Sequence, residues 1–165
     1  LYVNQWIITF LLGRNVIWIN VLPALSIVRT QTANTSMLKL ASDPRNITEV
    51  EGYVSQIADR YQLDQEKRTN LLISLTEAVN NAIIHGNKQD STKTVSIKLA
   101  QTRNGLAVRV SGQGCGFSYG DLPDPTSPER IWECGGRGVF LMNQLCDKLR
   151  YINGGTTVEM QFRLK

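Results

Sequence analysis

At 165 residues and a formal net charge of +4, the chain has the size of one domain with its own core. Residues 1–36 hold Arg14 and Arg29 and no acid, which leaves 16 basic against 14 acidic residues from Met37 onward; that mild, scattered balance excludes the clustered basic footprint of direct nucleic-acid binding. Three cysteines, Cys115, Cys134 and Cys146, lack the close paired spacing of a zinc site and read as reduced thiols of a cytoplasmic protein.

The first 36 residues stand apart in composition. Two apolar runs, 6–12 and 16–28, are split by Gly13, Arg14 and Asn15, and neither reaches the roughly 18 apolar residues of a spanning helix. No basic residue precedes the first run, as a signal peptide requires. The segment is therefore expected to be an extension outside the fold, with a membrane-associating segment as the alternative, and the domain is expected over 37–165.

Within that domain, 37–41 reads as a short strand entering the Ser42-Asp43-Pro44 turn. Apolar residues at 47, 50, 54, 57, 58 and 61 predict a first helix. Asp64 is positioned to cap a second helix over 65–85, with Lys67 replacing the usual Glu of a capping box, and Gly86 is expected to end it in the left-handed conformation. Alternation predicts strands over 94–100 and 106–110 around an Arg103-Asn104-Gly105 turn. A long Pro- and Gly-rich stretch, 111–136, follows; a loop of that length is uncommon without a function. A helix over 139–146 and a hairpin of 150–152 with 157–164 across Asn153-Gly154-Gly155 complete the reading. The expected fold class is an α/β, two-layer α+β sandwich with a mixed, mostly antiparallel sheet and helices on one face.

Three segments carry chemistry. Glu77, Asn81 and His85 recur at i, i+4 and i+8, so a helix stacks a carboxylate, a carboxamide and an imidazole in one row. That row lies beside the apolar Ala78, Val79, Ala82, Ile83 and Ile84 and is not an ordinary solvated stripe; Asn80 is expected to point about a quarter turn away from it. The second segment is Gly112-Gln113-Gly114-Cys115-Gly116-Phe117, where glycine lets backbone approach a ligand closely. The third, Gly135-Gly136-Arg137-Gly138-Val139, opens a helix whose backbone N–H groups suit phosphate oxygens.

In this order, with Asp124-Pro125-Thr126-Ser127-Pro128-Glu129 between the last two, the segments resemble the GHKL (Bergerat-fold) ATPases, and within them the anti-sigma-factor serine/threonine kinases of the RsbW and SpoIIAB type. The resemblance covers 37–165. It implies ATP and Mg²⁺ as cofactors, with Glu77 as general base and Asn81 as the ligand through which the metal is held beside the phosphates. It implies nucleotide contacts from His85, Gly112, Gly114, Gly116, Phe117, Gly136, Gly138, Val139 and Thr156. Arg137 or Arg130 is available to offset charge on the transferred phosphoryl group, and 124–129 matches the lid over the nucleotide. His85 reads as a helix-terminal hydrogen-bonding group rather than a catalyst.

One residue departs from the family pattern. The glycine turn of the family begins with an Asp that accepts a hydrogen bond from the adenine amino group, and Gly112 stands there, with Ser111 or Gln113 as possible substitutes. The implied function is a protein serine/threonine kinase that phosphorylates a small STAS-type antagonist, sequesters a sigma factor, and forms a homodimer. The rivals are a degenerate, non-catalytic nucleotide-sensing module and a histidine-kinase-like ATPase domain. The latter lacks here a separate helical segment with a phosphoacceptor histidine, since His85 is the only histidine.

Overall fold

A computed structural model describes residues 35–116 and 137–164, together with the backbone of strands within 7–31. In chain order the elements are β1 (Ile7–Leu12), β2 (Asn15–Asn20), β3 (Val28–Gln31), β4 (Thr35–Ala41), α1 (Thr48–Tyr61), α2 (Gln65–Asn80), β5 (Thr94–Thr102), β6 (Gly105–Ser111), α3 (Arg137–Leu145), β7 (Lys148–Ile152) and β8 (Thr157–Arg163). The strands form one sheet in the order β1-β2-β3-β4-β5-β6-β8-β7. The sheet was expected to be mixed; every pairing described is antiparallel.

Strand alternation places the core. Leu38 and Leu40 of β4, Val95, Ile97 and Leu99 of β5, Leu106, Val108 and Val110 of β6, and Val158, Met160 and Phe162 of β8 are all buried, and successive strand residues point to opposite faces. The helices cover that face: α1 contributes Val50, Tyr53, Val54, Ile57 and Ala58, and α2 contributes Leu71, Leu75, Ala78 and Val79. A leucine as enclosed as Leu75 in such a core contributes about 2–5 kcal/mol relative to alanine.

Local signals set the ends of the helices. The chain enters α1 through a 3₁₀ turn, Pro44–Ile47, where the Asp43 side chain accepts from Arg45 N at 2.9 Å. Helix α1 stops at Gln62, which adopts the left-handed conformation (φ 51°). Asp64 caps α2 as expected, accepting from Lys67 N at 2.8 Å and from Lys67 Nζ at 2.6 Å. Cys115 is exposed and Cys146 buried, both as free thiols; Cys134 lies outside the described residues.

Three expectations are corrected. The second helix does not run regularly to His85: it passes into a π-helical turn, Asn81–Gly86, in which Asn87 N reaches back five residues to Ala82 O at 2.8 Å. Gly86 is not left-handed; Asn87 ends the turn in right-handed geometry, and the positive φ angles fall on Lys88 (60°) and Gln89 (58°). Gly105, read as a turn residue, is the first residue of β6, and a Cβ there would lie 2.0 Å from Phe162 O of β8. Its requirement for glycine comes from the neighbouring strand.

On the face away from the helices, the register sets Glu159 of β8 between Arg109 of β6 and Arg150 of β7. Both guanidinium groups hydrogen-bond its carboxylate, and Glu159 is only 3% exposed. Burial alone would raise this carboxyl group; the hydrogen bonds from Arg150, Arg109 and Gln161 outweigh it and hold the pKa at about 2, against 4.5 ordinarily. A depressed folded-state value stabilises the native protein above the ordinary value and loses that contribution as pH falls toward 2. Part of the effect is screened because the arginines are about half exposed, so acidification from about pH 5 to 2 should remove roughly 1–2 kcal/mol through this group. Denaturant unfolding across that range should show a shallower loss in Glu159→Gln; an identical pH slope would rule out the triad as its source.

The extension expected to lie outside the fold has backbone paired to the sheet: β3 pairs with β4 from Val28↔Lys39 to Gln31↔Ser36. Strand β4 itself begins at Thr35, two residues before the expected boundary. No helix among the described residues is long and apolar enough to cross a membrane.

Candidate functional site

Where α2 ends, α3 begins and the glycine turn leaves β6, the described residues enclose a cavity of about 730 Å³, within the range of small-molecule sites. The helix side supplies Glu77, Asn81 and His85, so the π-helical turn keeps the expected polar row on one cavity. A π-helical turn of this kind is often found at functional sites. Asn80, expected to face away, also lines the cavity, which wraps around more than one face of the helix end. From the glycine turn come Gly112, Gly114 and Gly116; from α3, Arg137, Gly138 and Val139; from the last hairpin, Thr156. Phe117, Gly136, Arg130 and the 124–129 segment lie outside the described residues.

The glycines record close approaches. A Cβ at Gly114 would stand 2.0 Å from Gly86 O, so the glycine turn rests directly on the end of the π-helical turn. Gly116 combines a φ of 74° with a Cβ position 2.0 Å from Gly154 O, which joins the same turn to the last hairpin. Both conditions exclude a side chain. At Gly138 the Cβ position falls 2.4 Å from Glu77 Oε2 and 3.6 Å from Asn81 Nδ2. The missing side chain lets the first turn of α3 meet the carboxylate and carboxamide of the helix row, at the helix end where backbone N–H groups favour anions.

Gly112 differs from these. Its amide donates to Thr156 O at 3.0 Å, and a Cβ there would meet Asn87 Oδ1 at 3.2 Å and Ala82 Cβ at 3.6 Å. A side chain there requires Asn87 to give way by a few tenths of an ångström, at a position that lines the cavity. The residues considered as substitutes are committed elsewhere. The Ser111 hydroxyl accepts from Thr157 Oγ1 at 3.0 Å. Gln113 Oε1 accepts from Thr94 N at 2.6 Å and from Thr94 Oγ1 at 3.2 Å, and neither residue lines the cavity.

Sequence reading missed two groups. The apolar lining, Val110, Leu141, Met142, Tyr151 and Val158 with Ile84, comes from five separate elements, and only the tertiary fold assembles it. Asn87 is fully buried against the glycine turn; its position directly after His85-Gly86 was the available signal.

The donor set suits a magnesium nucleotide. Asn81 offers a hard carboxamide oxygen beside Glu77, and Mg²⁺ takes oxygen ligands while needing few from protein when phosphates supply the others. Among the described residues no group of three His, Cys, Asp or Glu side chains is placed to hold a metal.

Comparison with known proteins agrees with this geometry. The family model described as the histidine kinase-like ATPase domain matches residues 40–162. A serine-protein kinase RsbW of Bacillus licheniformis is 31% identical over 130 residues, covering 74% of this chain and 81% of its own length. The protein of the same name from Bacillus subtilis (strain 168) is 28% identical over 131 residues, with the same coverage. That of Listeria monocytogenes serotype 4a (strain HCC23) is 27% identical over 130 residues, covering 74% of this chain and 83% of its own. The chain belongs to the histidine kinase-like ATPase family, as a GHKL kinase of the RsbW type.

Proposed function

We propose that residues 37–165 form a cytoplasmic, ATP-dependent protein serine/threonine kinase that acts as an anti-sigma factor, phosphorylating a small STAS-type antagonist and otherwise sequestering a sigma factor, as a homodimer. The observation that carries this reading is the meeting of Glu77 and Asn81 with the first turn of α3 across one cavity, at a glycine whose missing Cβ makes room for the Glu77 carboxylate. The relatives' printed name, serine-protein kinase, supports the reaction class.

In this reading the antagonist's Ser or Thr hydroxyl attacks the γ-phosphorus. Its oxygen forms the new P–O bond as the bond to the β–γ bridging oxygen breaks, and Glu77 takes the hydroxyl proton. Arg137 offsets charge on the transferred group, while Gly138 and Val139 present backbone N–H groups to phosphate oxygens. Mg²⁺ held by Asn81 and the phosphates would neutralise their charge. Thr156 and the glycines of the turn receive the base.

Incubation with labelled ATP and a STAS-type antagonist should transfer phosphate to a Ser or Thr, and Asn81→Ala should weaken Mg²⁺-dependent nucleotide binding itself. An affinity unchanged in the presence of Mg²⁺ would remove Asn81 from the site. Strands β1–β3 of the extension are assigned no part in this function: truncation just before Thr35, which keeps β4 whole, should leave nucleotide affinity and melting temperature close to those of the full chain. A large drop in melting temperature on truncation would make the paired strands β1–β3 part of the functional unit.

One observation favours a second reading. Gly112 supplies no side-chain acceptor, and Ser111 and Gln113 are committed to Thr157 and Thr94, so a module that captures its partner without turnover is the alternative. Partner capture without phosphate transfer in the labelled-ATP assay would select it.

A further inference from the structure

The glycine turn leaves the sheet at Ser111, the last residue of β6. Beyond that point it contains three glycines within five residues, so only Gln113 and Cys115 have side chains that could restrain it. Two backbone bonds hold its start: Gly112 N to Thr156 O at 3.0 Å, and Gln113 N to Asn87 Oδ1 at 2.7 Å. The second comes from a side chain that is fully buried. Asn87 uses its other end as well, Nδ2 donating to Thr94 O at 3.2 Å. Gln113 closes the ring by accepting from Thr94 N at 2.6 Å. Asn87 is itself anchored to the π-helical turn, its backbone N donating to Ala82 O at 2.8 Å.

We infer that Asn87 is a positioning residue that locks the glycine turn onto the end of the π-helical turn and so sets the base end of the cavity; the consequence for nucleotide rests on the function proposed above. The chemistry selects an amide. The site needs one acceptor, toward Gln113 N, and one donor, toward Thr94 O, on the two ends of a short side chain. Aspartate has no donor and sets an oxygen against the Thr94 carbonyl; leucine of similar size leaves both backbone groups unpaired in a buried place, the costly arrangement for polar groups. Asn87 does not line the cavity, so it acts through Gly112, Gly114 and Gly116. Glu77 and Asn81 stand on the helix before it and do not depend on this ring. The lock therefore governs how tightly nucleotide is held more than how fast phosphate is transferred once it is bound.

The test compares the full chain with Asn87→Ala by calorimetric titration with Mg²⁺-ATP, by transfer kinetics, and by amide hydrogen exchange. The expected result is a dissociation constant and a KM for ATP raised at least tenfold, with kcat at saturating ATP within about threefold of the parent. An unchanged dissociation constant in a folded Asn87→Ala protein overturns the inference. So does a fall in kcat as large as the rise in KM, which a general loosening of the fold produces. Should the variant fail to fold, exchange in the parent decides: the Gln113 amide must be protected like those of β6, and exchange at the open-chain rate means that Asn87 does not hold it. A parent chain that binds no nucleotide fails the proposed function separately, and Gln113 protection still reports on the lock.

Discussion

Glu77→Ala should leave ATP binding nearly intact and lower phosphoryl transfer by roughly 10²- to 10⁴-fold, the loss expected when a positioned general base is removed. The geometry separates binding from chemistry on physical grounds. Glu77 contributes a negative charge beside the α3 first turn, where phosphate oxygens would lie, so its removal does not subtract an attractive contact with an anion. Asn81 and the backbone of Gly138 remain in place in the variant. Titration with ATP and a single-turnover transfer assay measure the two effects independently. Full transfer activity in Glu77→Ala would take the residue out of the mechanism, and a loss confined to ATP affinity would reassign it to binding.

Gly112→Asp should tighten ATP by about 1.5–3 kcal/mol, the contribution of a hydrogen bond to a charged acceptor, or roughly ten- to a hundredfold. GTP should change much less, because guanine presents an oxygen where adenine presents an amino group. The structure adds a steric condition. The new Cβ approaches Asn87 Oδ1 to 3.2 Å, so the carboxylate enters beside a buried amide already committed to Gln113 and Thr94, and a small displacement there offsets part of the gain. Calorimetric titration of both nucleotides against both proteins measures the difference. Equal effects on ATP and GTP would mean that position 112 does not face the base. A parent that binds neither nucleotide, with a variant that binds ATP, would favour the partner-capture module over the kinase.

Much of this site was legible from spacing and residue type. Glu77, Asn81 and His85 at helical spacing did reach one cavity, because both the α-helical and the π-helical turn return a side chain to nearly the same face after four residues. Asp64 announced its helix because a short acceptor before a helical repeat has few other uses. The strands of the central sheet were visible as alternation, since each buries one face and solvates the other. The Gly138 contact was not visible: that a glycine opens a helix is local, but that its missing Cβ faces Glu77 depends on how α3 docks against α2, sixty residues earlier in the chain.

What the sequence by itself determined was therefore the identity of the chemistry-bearing groups and the order of their elements, because propensity, alternation and capping act between residues a few positions apart. The tertiary structure alone decided which groups are available. It committed Ser111 to Thr157 and Gln113 to Thr94, set Glu159 under two arginines from separate strands, and made Asn87 a buried tie between the π-helical turn and the glycine turn. Each of these is a hydrogen bond between partners brought together by sheet register or by docking of elements, and a buried polar group takes whatever partner the fold places within reach, whatever its distance along the chain.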